Sequence, residues 1–143
     1  MLSHLLQVAL GGALGASARY LVGLGTLRLI GPGFPWGTLT VNVVGSFAMG
    51  LLVVVLAEVW GNRFAPLLMT GLLGGFTTFS AFSLDAVALW ERGETALAAT
   101  YVGASVIMAL AALMAGMSLG RGVAGGAVCR RSPWAPTRAT GAA

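Results

Sequence analysis

Apolar residues run along the chain in four blocks. Each is long enough to cross the hydrocarbon layer of a bilayer, which takes about 20 residues of helix. Leu5 to Leu27 hold Arg19 as their one charge, and Thr38 to Trp60 hold Glu58 near the end. Phe64 to Trp90 hold Asp85, and Thr95 to Leu119 hold no charge. The connections between blocks are short: Arg28 to Gly37, Gly61 to Arg63, and Glu91 to Glu94. Gly31-Pro32-Gly33 and Pro35 make the first of these a non-helical loop. Trp36, Trp60 and Trp90 stand at block ends, where amphipathic rings favour the headgroup layer. The pattern predicts an all-α integral membrane protein. Residues 1–120 form one domain of four transmembrane helices, and residues 121–143 a basic tail.

Composition strengthens this reading. Of 143 residues, 57% are hydrophobic and 8% charged, against about 25% charged in a globular chain. So few charges cannot solubilise a surface this apolar, which excludes a soluble enzyme. Lysine is absent; eight arginines face four acids, Glu58, Asp85, Glu91 and Glu94. No basic cluster with interleaved aromatics points to nucleic acid. His4 and Cys129 are the only residues of their kinds, so neither a zinc cluster nor an internal disulfide is available. Ala16-Ser17-Ala18 looks like a signal-peptide cleavage site, but neither Lys nor Arg precedes the apolar run and the run continues past Arg19. From Arg121 onward Gly, Ala, Ser, Thr and Pro dominate, the composition of a disordered tail.

Orientation is weakly specified. Arg63 and Arg121 lie on the side of the termini, Arg28 and Arg92 on the other, a balance that permits insertion both ways up. Arg130, Arg131 and Arg138 in the tail tilt the count toward termini inside.

Several residues break the membrane pattern. Small residues recur four apart at Gly11/Gly15, Ser46/Gly50, Gly71/Gly75 and Gly116/Gly120, a spacing that lets helices approach within or between subunits. Arg19 sits inside the first block, where it either snorkels as an anchor or draws anions toward a vestibule. The third block holds Gly74-Gly75-Phe76-Thr77-Thr78, a run of low helix propensity. Its 27 residues would span roughly 40 Å as one helix, so an interruption near Gly75 to Thr78 is expected. Phe79 and Phe82 share a helix face, as do Ser80 and Ser83. Phenyl edges carry partial positive charge and suit an anion, although the spacing equally fits two core phenylalanines. Asn42 interrupts an apolar second helix; its amide either bonds across helices or offers N–H donors to an anion. Thr38 and Thr40 are mouth or helix-start residues. Tyr101 and Ser105, four apart, either extend a polar track or bond back to their own helix.

These motifs coincide with a known family. Gly11-Gly12-Ala13-Leu14-Gly15-Ala16 leading to Arg19-Tyr20 resembles the opening of the CrcB/Fluc fluoride channels. Gly37-Thr38-Leu39-Thr40-Val41-Asn42 with Gly45-Ser46-Phe47 is similar to their second-helix signature. Gly74-Gly75-Phe76-Thr77-Thr78-Phe79-Ser80-Ala81-Phe82-Ser83 is similar to the third. The resemblance implies an antiparallel, dual-topology homodimer with two fluoride pores in the inner membrane of a prokaryote. It implies a passive channel that exports fluoride and reduces its toxicity. Phe79, Phe82 and Asn42 would contact fluoride, Ser80 and Ser83 line the pathway, and Thr38 or Thr40 lie near its mouth. Arg19 would stand at the vestibule, and Tyr101 and Ser105 at the fourth-helix polar positions. A structural Na+ at the dimer interface would be held by the backbone carbonyls of Gly74 and Thr77 from both subunits. Two features depart from the family: Asp85 stands where many relatives carry Glu, and the arginine-bearing tail lies outside the core.

Two other functions compete. A small multidrug or cation exporter of dual topology needs an intramembrane carboxylate, typically in its first helix, which here has Arg19 and no acid. A structural subunit of a larger complex would tolerate the glycines but leave the polar residues within the spans without a purpose.

Overall fold

The computed structural model describes residues 1–60 and 62–131, and contains no strand among them. Helix α1 covers Leu2–Leu29 and α2 Trp36–Val55. A π-helical turn, Leu56–Trp60, continues α2. A wider π-helical stretch, Pro66–Leu73, leads into the short α3 at Gly74–Phe76. Thr77 and Thr78 are extended, with ψ of 156° and 120°, before α4 at Phe79–Glu91. Helix α5 runs from Thr95 to Arg131. Four stretches are long and apolar enough to cross a membrane: Leu2–Leu29, Trp36–Glu58, Pro66–Glu91 and Thr95–Gly125. They follow the four apolar blocks of the sequence to within a few residues at most ends. Gly31 and Gly33, with φ of 92° and 120°, turn the chain between α1 and α2 in a conformation that favours glycine.

The last helix differs from expectation. It continues past Leu119 to Arg131, so Arg121 belongs to a helix of 37 residues, roughly 55 Å long. Packing supports the additional turns as far as Ala124. Gly120 seats against Val54 and Leu51 of α2, and Ala124 has no exposed surface. The rest of the expected tail, residues 132–143, lies outside the described residues.

Most large apolar side chains face outward; Leu14, Leu21, Ile107 and Met114 are each over 60% exposed. This is the arrangement lipid rewards, because hydrocarbon solvates such side chains while backbone polar groups stay paired within helices. Inside, Leu39, Leu89, Ala98 and Tyr101 form a buried cluster against which Phe34 and Phe82 pack. Contact between helices rests on glycine. A methyl at Gly11 would meet the backbone of Leu67 and Leu72, and one at Gly75 the backbone of Gly12. On the other side of the molecule Gly50 faces the backbone of Leu113 and Met117, and Gly116 that of Phe47 and Leu51. The glycine pairs therefore bring α1 onto the 66–76 segment and α2 onto α5 within one subunit.

This packing separates glycines by consequence. Gly116→Ala is expected to destabilise the fold by about 1–3 kcal/mol, because the added methyl overlaps backbone that cannot rotate away. Gly103→Ala, which meets nothing within 4 Å, is expected to leave stability unchanged or slightly raised. Thermal unfolding of the purified variants in detergent checks the contrast.

Candidate functional site

The extended pair Thr77–Thr78 is the centre of the site. A helix that stops at Phe76 leaves carbonyls without their usual donors, and one that starts at Phe79 leaves N–H groups without acceptors. Side chains take over part of this work. Thr78 N–H donates to Asn42 Oδ1 at 2.8 Å, and Asn42 Nδ2 donates to the Thr78 carbonyl at 3.0 Å. One carboxamide on α2 thus pairs with both backbone groups of Thr78. Thr77 stays tied backward, its N–H and its hydroxyl both donating to the Leu73 carbonyl at 2.9 Å. Thr78 is also the N-cap of α4, its Oγ1 accepting from Ala81 N–H at 3.2 Å. Its hydroxyl lies 3.1 Å from Ser80 Oγ. The positive end of the α4 dipole therefore falls at this point.

Two cavities meet at Thr78, the one residue that lines both. The larger, about 940 Å³, lies between α1, the Gly31–Pro35 loop and α4, and includes Arg19, Thr38, Asp85 and Arg92. The smaller, about 310 Å³, is a groove holding Asn42, Ser46, Thr77, Phe79, Phe82 and Ser105. Phe79 and Phe82 have ring centroids 5.4 Å apart with planes at 42°, and Phe79 is 79% exposed. Ser105 lies buried on the groove wall, four residues after Tyr101 on α5, and its hydroxyl has no close hydrogen-bond partner among the described residues.

The expected site residues thus divide. Asn42, Phe79, Phe82 and Ser105 come together in the groove, with Thr77 beside them, while Arg19 and Thr38 line the larger cavity. Ser80 sits at the start of α4, and Ser83 bonds back to the Phe79 carbonyl at 3.0 Å. Gly74 is exposed at the start of α3. Thr40 is half-buried on α2 and lines neither cavity. Tyr101 is fully buried, its ring 5.4 Å from Phe82 and edge-on to Phe34 at 5.5 Å.

One polar cluster was not legible in the sequence. Thr38 Oγ1 donates to Asp85 Oδ2 at 2.6 Å, and Tyr101 hydroxyl reaches the same oxygen at 3.4 Å. The three residues come from α2, α4 and α5, and no periodicity within one helix signals the pairing. Thr78 was a site residue that could have been read, because a threonine immediately before an apolar helical run is an N-cap signal.

The chain's residues 6–117 match the family described as CrcB-like protein, Camphor Resistance (CrcB). The chain belongs to this family. It is 72% identical over 122 residues to the fluoride-specific ion channel FluC of Cereibacter sphaeroides, covering 85% of this chain and 98% of that protein. It is 60% identical over 118 residues to the protein of the same description in Paracoccus denitrificans, covering 82% and 94%. The corresponding Agrobacterium fabrum protein is 56% identical over 116 residues, covering 80% and 93%. With bacterial relatives and four membrane-spanning helices, this CrcB-like chain is a multi-pass membrane protein of a prokaryote.

The Asp85 cluster generates a stability prediction. Thr38→Val preserves shape and removes the donor to the carboxylate, a bond worth about 1.5–3 kcal/mol. A lower unfolding midpoint in detergent is the expected outcome, and an unchanged midpoint would mean that the bond contributes nothing net.

Proposed function

We propose that this chain is a passive fluoride-selective ion channel and no enzyme. The observation that carries the reading is the groove in which Asn42, Phe79, Phe82 and Ser105 meet at the positive end of α4. The polar groups and phenyl edges of that groove suit a small anion that is not to be trapped, while Met49, Val106, Ala109 and Leu113 complete an apolar wall. Phenyl edges offer weak positive potential, the Ser105 hydroxyl and the remaining Asn42 N–H offer donors, and the groove has no lining cation to bind the ion tightly. Arg19 in the adjoining cavity raises the local anion concentration by electrostatic focusing. The curated relatives named as fluoride-specific channels supply the identity of the anion.

The extended pair interrupts the third membrane crossing in this reading, and the pathway runs past it from the Arg19 cavity into the groove. The groove is open along one side and Phe79 is largely exposed, so a second copy in antiparallel orientation closes it. The antiparallel, dual-topology arrangement with two pores is what the resemblance to the CrcB/Fluc channels implies for such a pair. A structural Na+ fits the backbone at the interruption. The Thr78 N–H that would otherwise close the turn on the Gly74 carbonyl is given to Asn42, which frees that oxygen. Gly74 and Thr77 carbonyls, with those of the second copy, make a hard oxygen set. A cation bound there supplies fixed positive charge between the subunits. Transport is downhill. Fluoride that has entered the cell as HF and dissociated leaves along its own gradient, which reduces its toxicity.

Liposomes containing the purified protein are expected to release fluoride far faster than chloride. Phe82→Ile is expected to slow fluoride release by roughly tenfold or more while the oligomer persists on size-exclusion chromatography. Release no faster than from empty liposomes would overturn the proposal.

A further inference from the structure

Asn42 and Gly45 stand three apart on α2 and share a helical face. Asn42 pairs with Thr78 through both its amide functions. Gly45 is buried, and a methyl added there would overlap Thr77 Cγ2 and press on Phe76 Cδ1 at 3.2 Å. The two α2 residues thus touch the two extended residues in register, Gly45 under Thr77 and Asn42 beside Thr78. Neighbouring positions on α2 do something else: Val44 is 51% exposed and Ser46 faces the groove.

The geometry points to α2 as a mould for the extended pair, with Gly45 as a positioning residue that acts through Thr77. We infer that the missing side chain at Gly45 lets Thr77 leave helical geometry with its methyl seated on α2. Once Thr77 is seated, Thr78 falls within reach of the Asn42 amide. The physical demand is that of any interrupted helix in lipid: extended backbone survives only where its polar groups are paired and its side chains are packed. Asn42 meets the first requirement at Thr78, and Gly45 the second at Thr77. Phe79, the first residue of α4, follows directly, so the position of Gly45 is transmitted to the phenyl edges of the groove although Gly45 offers no donor of its own. Conduction depends on Gly45 through this positioning. That dependence rests on the fluoride-channel reading, whereas the seating of Thr77 does not.

The test is a rescue experiment on the full chain. Gly45→Ala is expected to lower fluoride release from liposomes by roughly tenfold to a hundredfold, the cost of displacing a site by a fraction of an ångström to an ångström. It is also expected to speed hydrogen–deuterium exchange in peptides covering Thr77 to Ala81, because Thr78 N–H loses its partner. Adding Thr77→Ser removes the overlapping methyl, keeps the hydroxyl that bonds Leu73, and is expected to restore both release and protection. Val44→Ala, on the outer side of α2, is expected to change neither. Unchanged exchange in Gly45→Ala, or failure of Thr77→Ser to restore protection in an intact dimer, overturns the inference. Absence of fluoride release from the parent protein would instead overturn the channel reading, and exchange would still decide the seating of Thr77.

Discussion

Two residues of extended backbone in an otherwise helical membrane protein set the terms for the rest of the structure. Each unpaired backbone group in hydrocarbon costs several kcal/mol, so Thr78 depends on Asn42, which pairs its N–H and its carbonyl, and Thr77 on Leu73, which takes its N–H. The Asn42 carboxamide is suited to this because it carries a donor and an acceptor side by side, the same pair that a backbone residue presents. An aspartate would repel the Thr78 carbonyl, and an apolar residue would leave both groups unpaired. The polar position in the middle of α2 and the extended backbone at Thr78 are thus two halves of one interaction.

Close approach makes that interaction geometrically possible. Gly11 and Gly15 let α1 lie against the backbone of the 67–76 segment, and Gly45 lets α2 approach Thr77. On the far side Gly50 and Gly116 bring α2 and α5 together. Leucine-rich faces would hold these helices further apart, beyond the reach of a side chain as short as asparagine. The outward-facing leucines and methionines have the opposite task, since their partner is lipid. A chain with few charges can therefore place amide and hydroxyl groups between its helices. The Thr38–Asp85–Tyr101 cluster adds a carboxylate to that interior and ties α2, α4 and α5 together beside the larger cavity.

The four crossings were legible from residue type alone, because hydrocarbon thickness imposes a length on any apolar helix and the blocks match it. Tryptophans and the Gly-Pro loop marked the boundaries. The end of α5 was not legible. The glycine and alanine composition past Leu119 reads as a disordered tail, yet small residues are what α2 requires for contact at Gly120 and Ala124. Composition reports what a segment can bury by itself; it does not report what a neighbouring helix offers it.

The site divides in the same way. The sequence by itself determined that Asn42, Arg19 and the Thr77–Thr78 pair are out of place in lipid, because their departures from apolar, helix-forming chemistry are local properties. Which of them meet was decided only by tertiary structure. Asn42 and Thr78 are 36 residues apart, and Thr38 and Asp85 are 47 apart. Such pairings depend on the register in which glycine faces lock two helices. That register is a property of two complementary surfaces in contact, and no single stretch of chain contains it.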